Sequence, residues 1–486
     1  MGLLDAGVWS GRLFSSGWVA GGGVDYPVIE PATGDELGRM GKASPEDVSR
    51  AASRASEAQH VWAHAVYQER AGVLRRAGDL FNEHAGEIQG WLVRETGSIP
   101  PKAELETWFA SSSCYEAASL ASMPYGELLR TRDPVLSISR RLPVGVVGVI
   151  SPFNFPLILS IRAVAPALAL GNAVLLKPDP RTAVSGGVVL ARIFQEAGLP
   201  DSLLSVLPGG AEIGEAMVKD PAIPMISFTG SSRAGRRVAT LGGEHLKRVH
   251  LELGGNSALI VLDDVDLERA VSAGAFGSFM HQGQICMTTG RHLVQRSIAD
   301  EYTKKLAEHA EHLPVGNPAV EQVALGPLID QRQRERVHDI VTRSVEAGAR
   351  LAAGGKYEGL FYRPTVLGEV PTDSPAYLEE IFGPVAPIVP FDSVDDAVKL
   401  ASETEYGLSL GIMTRDVMRG LELAERIPTG TAHINDQTVA DEVVNPFGGV
   451  RASGPGSRLG GQQANLEAFT VVQWVTMRGD LPSYPF

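Results

Sequence analysis

VVGVIS (146–151), AVLLKP (173–178), LLSVLPG (203–209), MISFTG (225–230) and RVHLELGG (248–255) decide the fold. Each is a short run rich in β-branched and aliphatic residues, and helical stretches such as 182–197 and 232–241 lie between them. Short apolar runs alternating with helical segments read as a parallel α/β sheet with crossover helices. In such sheets ligands collect beyond the carboxyl ends of the strands. The segments around Asn154, Gly230, Ser231 and Glu252 all lie at such ends.

Upstream, a short strand region near Tyr26–Val28 precedes helices. Ser44-Pro45-Glu46-Asp47 reads as a helix start, with Ser as N-cap, Pro in the first turn and acids beside it. Val48, Ala51, Ala52 and Ala55 follow at helical spacing. Downstream, ALIVLDD (258–264), a helix from Asp266, APIVPF (386–391), a helix at 395–398 and LSLGIM (408–413) form a second α/β region. At 486 residues the chain exceeds a single core, so two or three domains are expected.

The net charge of −14 argues against nucleic acid or an anionic membrane as main partner, although backbone N–H groups still hold small anions. No run has the length of a membrane span, because Pro166, Gly171 and Asn172 interrupt the longest apolar stretch, 163–176. The first residues lack a secretory pattern, and Ala6 stands where a myristoylation signal needs Ser or Thr. A cytoplasmic location is expected. Two cysteines, Cys114 and Cys286, cannot build a disulfide framework and fit a reducing compartment.

Four segments hold residue types suited to acyl-transfer redox chemistry. In GQICMT (283–288), Cys286 becomes a nucleophile if its thiolate is favoured, although a lone cysteine is more often buried and inert. In LELGGN (251–256), Glu252 ends an apolar strand before two glycines, where a carboxylate can act as general base. Asn154 sits between two prolines in PFNFP (152–156) and could donate to a developing oxyanion, or simply serve a turn. FTGSSRAG (228–235) runs from a strand through a glycine turn into a helix N-terminus, an anion site without the GxGxxG fingerprint. No metal site is expected: His60 and His64 are four apart on a helix but have no HExxH glutamate between them, and His309 and His312 lie on a solvated helix.

Singly these segments are ordinary. Together with LLKP (175–178), EEIFGPV (379–385) and NPFGGVRASG (445–454) they resemble the aldehyde dehydrogenase superfamily over nearly the whole chain. The resemblance implies an α/β fold of two Rossmann-like parallel-sheet domains plus a small β oligomerisation flap. It implies a cofactor domain over 1–122 and 144–254, a catalytic domain over 255–455, and a flap from 123–143 and 456–486. A homodimer or homotetramer is expected, and DPVLSISRR (133–141) alternates like an exposed strand pair that a monomer would leave as an open edge.

By the same resemblance, Cys286 attacks the aldehyde and Asn154, with the Cys286 N–H, holds the oxyanion of the thiohemiacetal. Hydride passes to NAD or NADP, and Glu252 activates the water that hydrolyses the thioester. Lys177, Gly230, Ser231, Gly254, Glu380 and Phe382 match the cofactor-binding positions. One departure concerns the cofactor: Pro180 stands where many NAD-preferring members carry a ribose-binding glutamate. With Arg181 or Arg233 as attracting cation, NADP is expected to be tolerated. His433-Ile434-Asn435-Asp436-Gln437-Thr438, the Lys-Pro-Asp-Pro-Arg run and Arg162 resemble members acting on aromatic aldehydes, of the benzaldehyde and vanillin dehydrogenase kind. Ile285 and Met287 would wall a flat ring. The alternatives are an aliphatic aldehyde substrate, a CoA-acylating enzyme, which Glu252 argues against, and a non-enzymatic protein, which would not need Cys286. Cys114 is read as a packing residue.

Overall fold

The computed structural model describes residues 2–486. Two seven-stranded sheets organise the chain. The first runs in the order 248–252, 225–229, 146–150, 173–177, 204–206, 12–14, 18–20. Its first five strands are parallel. Val146–Ile150 and Ala173–Lys177 are buried along their whole length, as parallel strands covered by helices on both faces must be. Chain order reverses beside Val146–Ile150, whose neighbours are Ala173–Lys177 and Met225–Thr229, so a crevice opens beyond Ile150 and Thr229.

The second sheet runs 350–353, 365–368, 385–391, 289–295, 257–261, 409–413, 431–434, and only the pairing of 350–353 with 365–368 is antiparallel. The chain leaves the first sheet at Glu252 and enters the second at Ser257. The carboxyl edge of one sheet therefore faces the amino edge of the other. Separate apolar clusters pack the first sheet and the two faces of the second.

The helix start at Ser44 is observed as a full capping box, with Asp47 bonding back to the Ser44 N–H, and Val48, Ala51, Ala52 and Ala55 are buried beneath it. Two expectations need correction, for 182–197 and for 133–141, and a hairpin at 12–20 adds an element the sequence did not announce. Residues 182–197 are not one α-helix: a 3₁₀ turn at Pro180–Thr182 and a π-turn at Val184–Val188 precede the α-helix Val189–Glu196. The carboxylate of buried Glu95 accepts the Val184 and Ser185 N–H groups there, while Gly187 packs so closely on Val206 and Pro178 that a Cβ would lie under 3 Å from both. Residues 12–20 form a hairpin that extends the first sheet antiparallel through Phe14↔Val206. Lastly, Leu136–Pro143 is the centre of a three-stranded sheet, not its edge. It pairs with Gly126–Leu128 on one side and Thr470–Met477 on the other. No described helix is long and apolar enough to cross a membrane.

Candidate active site

A cavity of about 520 Å³ lies between the facing edges of the two sheets. Asn154 and Cys286 line it, as do Lys177, Gly230, Ser231, Gly254, Glu380 and Phe382. Glu252 does not line this cavity; it is buried beside it.

The first sheet contributes through regular strand ends. Ser151 N–H bonds the Lys177 carbonyl, which ties two neighbouring strand ends together. The turn that follows carries Asn154, held from behind by a fully buried ion pair. Lys102 Nζ donates to the Asn154 carbonyl oxygen at 2.7 Å and also pairs with Glu106. Glu106 accepts the N–H groups of Leu157 and Ile158, the orphan donors of the helix Pro156–Ala169. This pair sits at i, i+4 on the helix Pro100–Leu120, a spacing already visible in the sequence.

Lys177 closes its strand with Nζ in the cavity wall, donating only to the Pro178 carbonyl, and burial lowers its pKa. Gly230 N–H bonds the Glu252 carbonyl, and Ser231 caps the helix Ser232–Glu244 through Ala234 N–H. An open helix N-terminus beside a lysine amine is a cradle for a pyrophosphate. Arg181 makes a two-pronged contact with Asp179, a further bond to Asp330, and stacks on Phe153 at 4.2 Å. It is thus committed to protein partners, and Arg233 is one of four exposed arginines in the cavity lining, with Arg237, Arg332 and Arg336.

The second sheet contributes through irregular loops that precede its strands. Cys286 lies just before the strand Thr289–Gln295, and Glu380 and Phe382 just before Val385–Phe391. His281, Gln282 and Phe382 hold positive φ of 48°, 56° and 55°. Side-chain bonds offset that backbone cost. Gln282 donates to the carbonyls of Gly97 and Pro327, Gln284 accepts Ile329 N–H, and Thr438 donates to the Met287 carbonyl. The two loops and the inter-sheet link touch through glycine. A Cβ on Gly254 would lie 2.3 Å from a Glu380 oxygen, on Gly255 2.5 Å from the Cys286 carbonyl, and on Gly283 2.0 Å from the Gly383 carbonyl. Gly255 N–H also donates to Glu380 Oε1 at 3.0 Å.

Cys286 is half-buried, and burial first, then the charges of Glu380, Glu252 and Asp441, push its thiol up to about 12 while Arg162 opposes them. Burial likewise pushes Glu380 up to about 7 and raises Glu252, with His250, Arg162 and Arg458 pulling the latter down. On its far side the thiol meets an apolar cluster of Ile285, Met287, Leu408 and Phe447, with Phe155, Met280 and Val439 against it. Arg162 stands at this cluster's rim, ion-paired with Asp441 and held between Phe109 and Phe447 at 5.1 and 4.9 Å. Asp441 and His250 were not singled out from the sequence. The signal for His250 was its place two residues before Glu252, hence on the same strand face.

Comparison with known proteins places the chain in a family. The model of the aldehyde dehydrogenase family matches residues 18–475. A vanillin dehydrogenase of Amycolatopsis sp. is 64% identical over 486 residues, covering 100% of both chains. A benzaldehyde dehydrogenase [NAD(+)] of Pseudomonas putida is 50% identical over 480 residues, 99% of this chain and 98% of that one. Among solved structures, a salicylaldehyde dehydrogenase from Pseudomonas putida G7 complexed with salicylaldehyde superposes with TM-score 0.94 at 33% identity, covering 98% of this chain and 99% of that one.

Proposed function

This chain belongs to the aldehyde dehydrogenase family, enzymes that oxidise aldehydes with NAD or NADP, and from that premise we propose that its substrate is a small aromatic, benzaldehyde-like aldehyde. The observation that carries the substrate class is the apolar cluster of Ile285, Met287, Leu408 and Phe447, with Phe155, against which Cys286 packs and which makes the surroundings of the thiol apolar. The vanillin, benzaldehyde and salicylaldehyde dehydrogenases it resembles are named for such substrates.

In this reading Cys286 is the nucleophile. Burial and the nearby carboxylates raise its thiol's pKa, so removing the thiol proton adds to the barrier. The Asn154 amide and the Cys286 N–H donate to the oxyanion of the thiohemiacetal, and the Lys102–Glu106 pair behind Asn154 keeps that donor in place. Lys177, Ser231 and the turns at Gly230 and Gly254 receive the cofactor's phosphates and adenosine ribose, and Glu380 and Phe382 its nicotinamide end. Their fit is supported by the lysine amine with only a backbone partner and by the glycine contacts that leave no room for a side chain. When bound, the nicotinamide supplies the hydride acceptor. Glu252 then takes a proton from the water that hydrolyses the Cys286 thioester, a role its raised pKa suits.

The same reading divides the chain into a cofactor domain (1–122 and 144–254), a catalytic domain (255–455) and a flap (123–143 and 456–486). The flap exposes Leu128, Leu136, Val472, Trp474 and Met477, supporting a homodimer or homotetramer assembled through that sheet. Two unbridged cysteines support a reducing, cytoplasmic location. Tolerance of NADP is supported by Pro180 and by Arg233, with Arg181 already engaged.

The test is reduction of NAD and of NADP, followed by absorbance, with benzaldehyde, vanillin, propanal and betaine aldehyde. Higher kcat/KM for the two aromatic substrates is expected; preference for propanal or betaine aldehyde would overturn the aromatic reading. Light scattering after size exclusion that shows only monomer would remove the oligomer.

A further inference from the structure

Alternation along the strand Arg248–Glu252 puts Arg248, His250 and Glu252 on one face of the first sheet. The helix Ser232–Glu244 covers the other face, where Gly235 and Gly242 meet Leu253 and Val249. The three residues form a line from an exposed arginine to a buried carboxylate, with a buried histidine between them. His250 Nε2 lies 3.1 Å from Glu252 Oε1, but the two are not aligned as a hydrogen bond. Nε2 and both Glu252 oxygens are buried without a hydrogen-bond partner. Buried polar groups are almost always satisfied, and three unsatisfied atoms in contact beside a nucleophile need a reason.

We propose that His250 is a positioning residue for Glu252 and the acceptor that takes the proton Glu252 acquires during thioester hydrolysis. The proposal rests on the reading of Glu252 as base. Water bonds to the thioester carbon as Glu252 removes its proton, the C–S bond breaks, and Cys286 keeps the electron pair. The proton on Glu252 then moves to Nε2 of His250, whose Nδ1 gives up its own proton to water. Glu252 is again a carboxylate, and no oxidant or reductant takes part.

The surroundings suit that traffic. Ser227 and Thr229 flank His250 and Glu252 on the next strand and carry no charge. Across from the pair, Arg162 with its partner Asp441, Arg458 and the Cys286 thiol are the charged or titratable groups in reach. Arg458 is bonded to the Gly449 and Ser457 carbonyls, and Arg248 to the carbonyls of Glu467, Ala468 and Thr470. Among these groups His250 alone touches the Glu252 carboxylate and carries a ring nitrogen able to accept its proton.

The experiment is cofactor-free hydrolysis of p-nitrophenyl benzoate by wild type, His250→Gln and His250→Ala. The burst of nitrophenolate reports acylation of Cys286, and the steady phase reports hydrolysis of the acyl-enzyme. In both variants we expect an unchanged burst and a steady rate lower by about tenfold or more. We also expect recovery of His250→Ala by added imidazole. An unchanged steady rate, or burst and steady phase falling together as in a merely loosened structure, would overturn the proposal. Should the alanine variant fail to fold, the glutamine variant, closer in volume, carries the same comparison. Neither cofactor nor aldehyde enters this assay, so a negative result for His250 leaves the aldehyde reading standing, and the reverse holds too.

Discussion

The two sheets meet the cavity with opposite ends of their strands, and they hold their functional groups by different means. The first presents carboxyl ends, where Asn154, Lys177, Ser231 and Glu252 follow directly from regular strands. The second presents amino ends, where Cys286, Glu380 and Phe382 sit in loops with left-handed residues pinned by Gln282, Gln284 and Thr438. A strand end is a ready platform, because the ladder of hydrogen bonds already fixes the backbone. A loop that must reach into a cleft needs side-chain anchors and close-packed glycines. The side chains assigned to oxyanion, base and phosphate lie on the first kind of platform, and the nucleophile, its own N–H and the nicotinamide-end contacts on the second.

The largest effect should come from the loop side. Cys286→Ala should lower aldehyde turnover by about 10⁴-fold or more, while cofactor binding, measured by fluorescence titration, stays within about threefold. Residual turnover near the wild-type level would mean that the nucleophile lies elsewhere and that the second sheet's amino edge serves only to close the cavity.

That asymmetry also explains what was legible in the sequence. Strand-end placement follows from a general rule about parallel sheets, so the positions of Asn154, Gly230, Ser231 and Glu252 could be read from the runs that precede them. No such rule places a residue at the amino edge of a strand, and Glu380 and Phe382 were reachable only through resemblance. The π-turn at Val184–Val188 was illegible because its cause, the Glu95 carboxylate, is 89 residues away along the chain. The hairpin at 12–20 escaped for a similar reason: its strands have three residues each, and its place in the sheet depends on Phe14 meeting Val206. Asp441 was invisible because only the folded chain brings it to Arg162.

The strand-end side should fail differently, through its support. Glu106→Ala leaves Lys102 buried without a counter-charge and the helix at Pro156 without its acceptor. We expect a loss of about 3–5 kcal/mol in unfolding free energy by urea titration. The double change Lys102→Met, Glu106→Leu should recover part of it, since removing both charges removes the desolvation cost while the Leu157 and Ile158 N–H groups still lack their acceptor. If Glu106→Ala costs under about 1 kcal/mol, the pair is solvated in solution and is not what holds Asn154.

Asn154→Ala should leave stability nearly unchanged and lower kcat by about 10²–10³-fold, the cost of one oxyanion donor, with little change in KM. A fall in kcat/KM carried by KM instead would make Asn154 a ground-state contact. The contrast with Glu106→Ala then separates the donor from its scaffold on the same strand end.

The smallest effect concerns the loop side and its pH dependence. Glu380 is an acid whose pKa burial pushes up to about 7 in the folded protein, above the ordinary carboxylate value near 4.3 that it has when unfolded. The folded state therefore binds this proton more tightly than the unfolded chain. The stabilisation is fully present below about pH 4 and is lost as pH rises through about 7. Glu380→Gln keeps an oxygen for the Gly255 N–H but never acquires the charge. The variant should thus be more stable than wild type at pH 8, by roughly 1–3 kcal/mol given that the side chain is only half-buried, and the gap should close toward pH 4. Because Glu380 is the largest of the charges raising the Cys286 thiol, the variant's cysteine should also be alkylated faster at pH 8. A stability gap that is flat with pH would show that Glu380 is already solvated in the ligand-free cavity. The expected slope would instead show that the loop platform holds an unfavourable charge in place until a ligand's hydroxyl groups arrive to meet it.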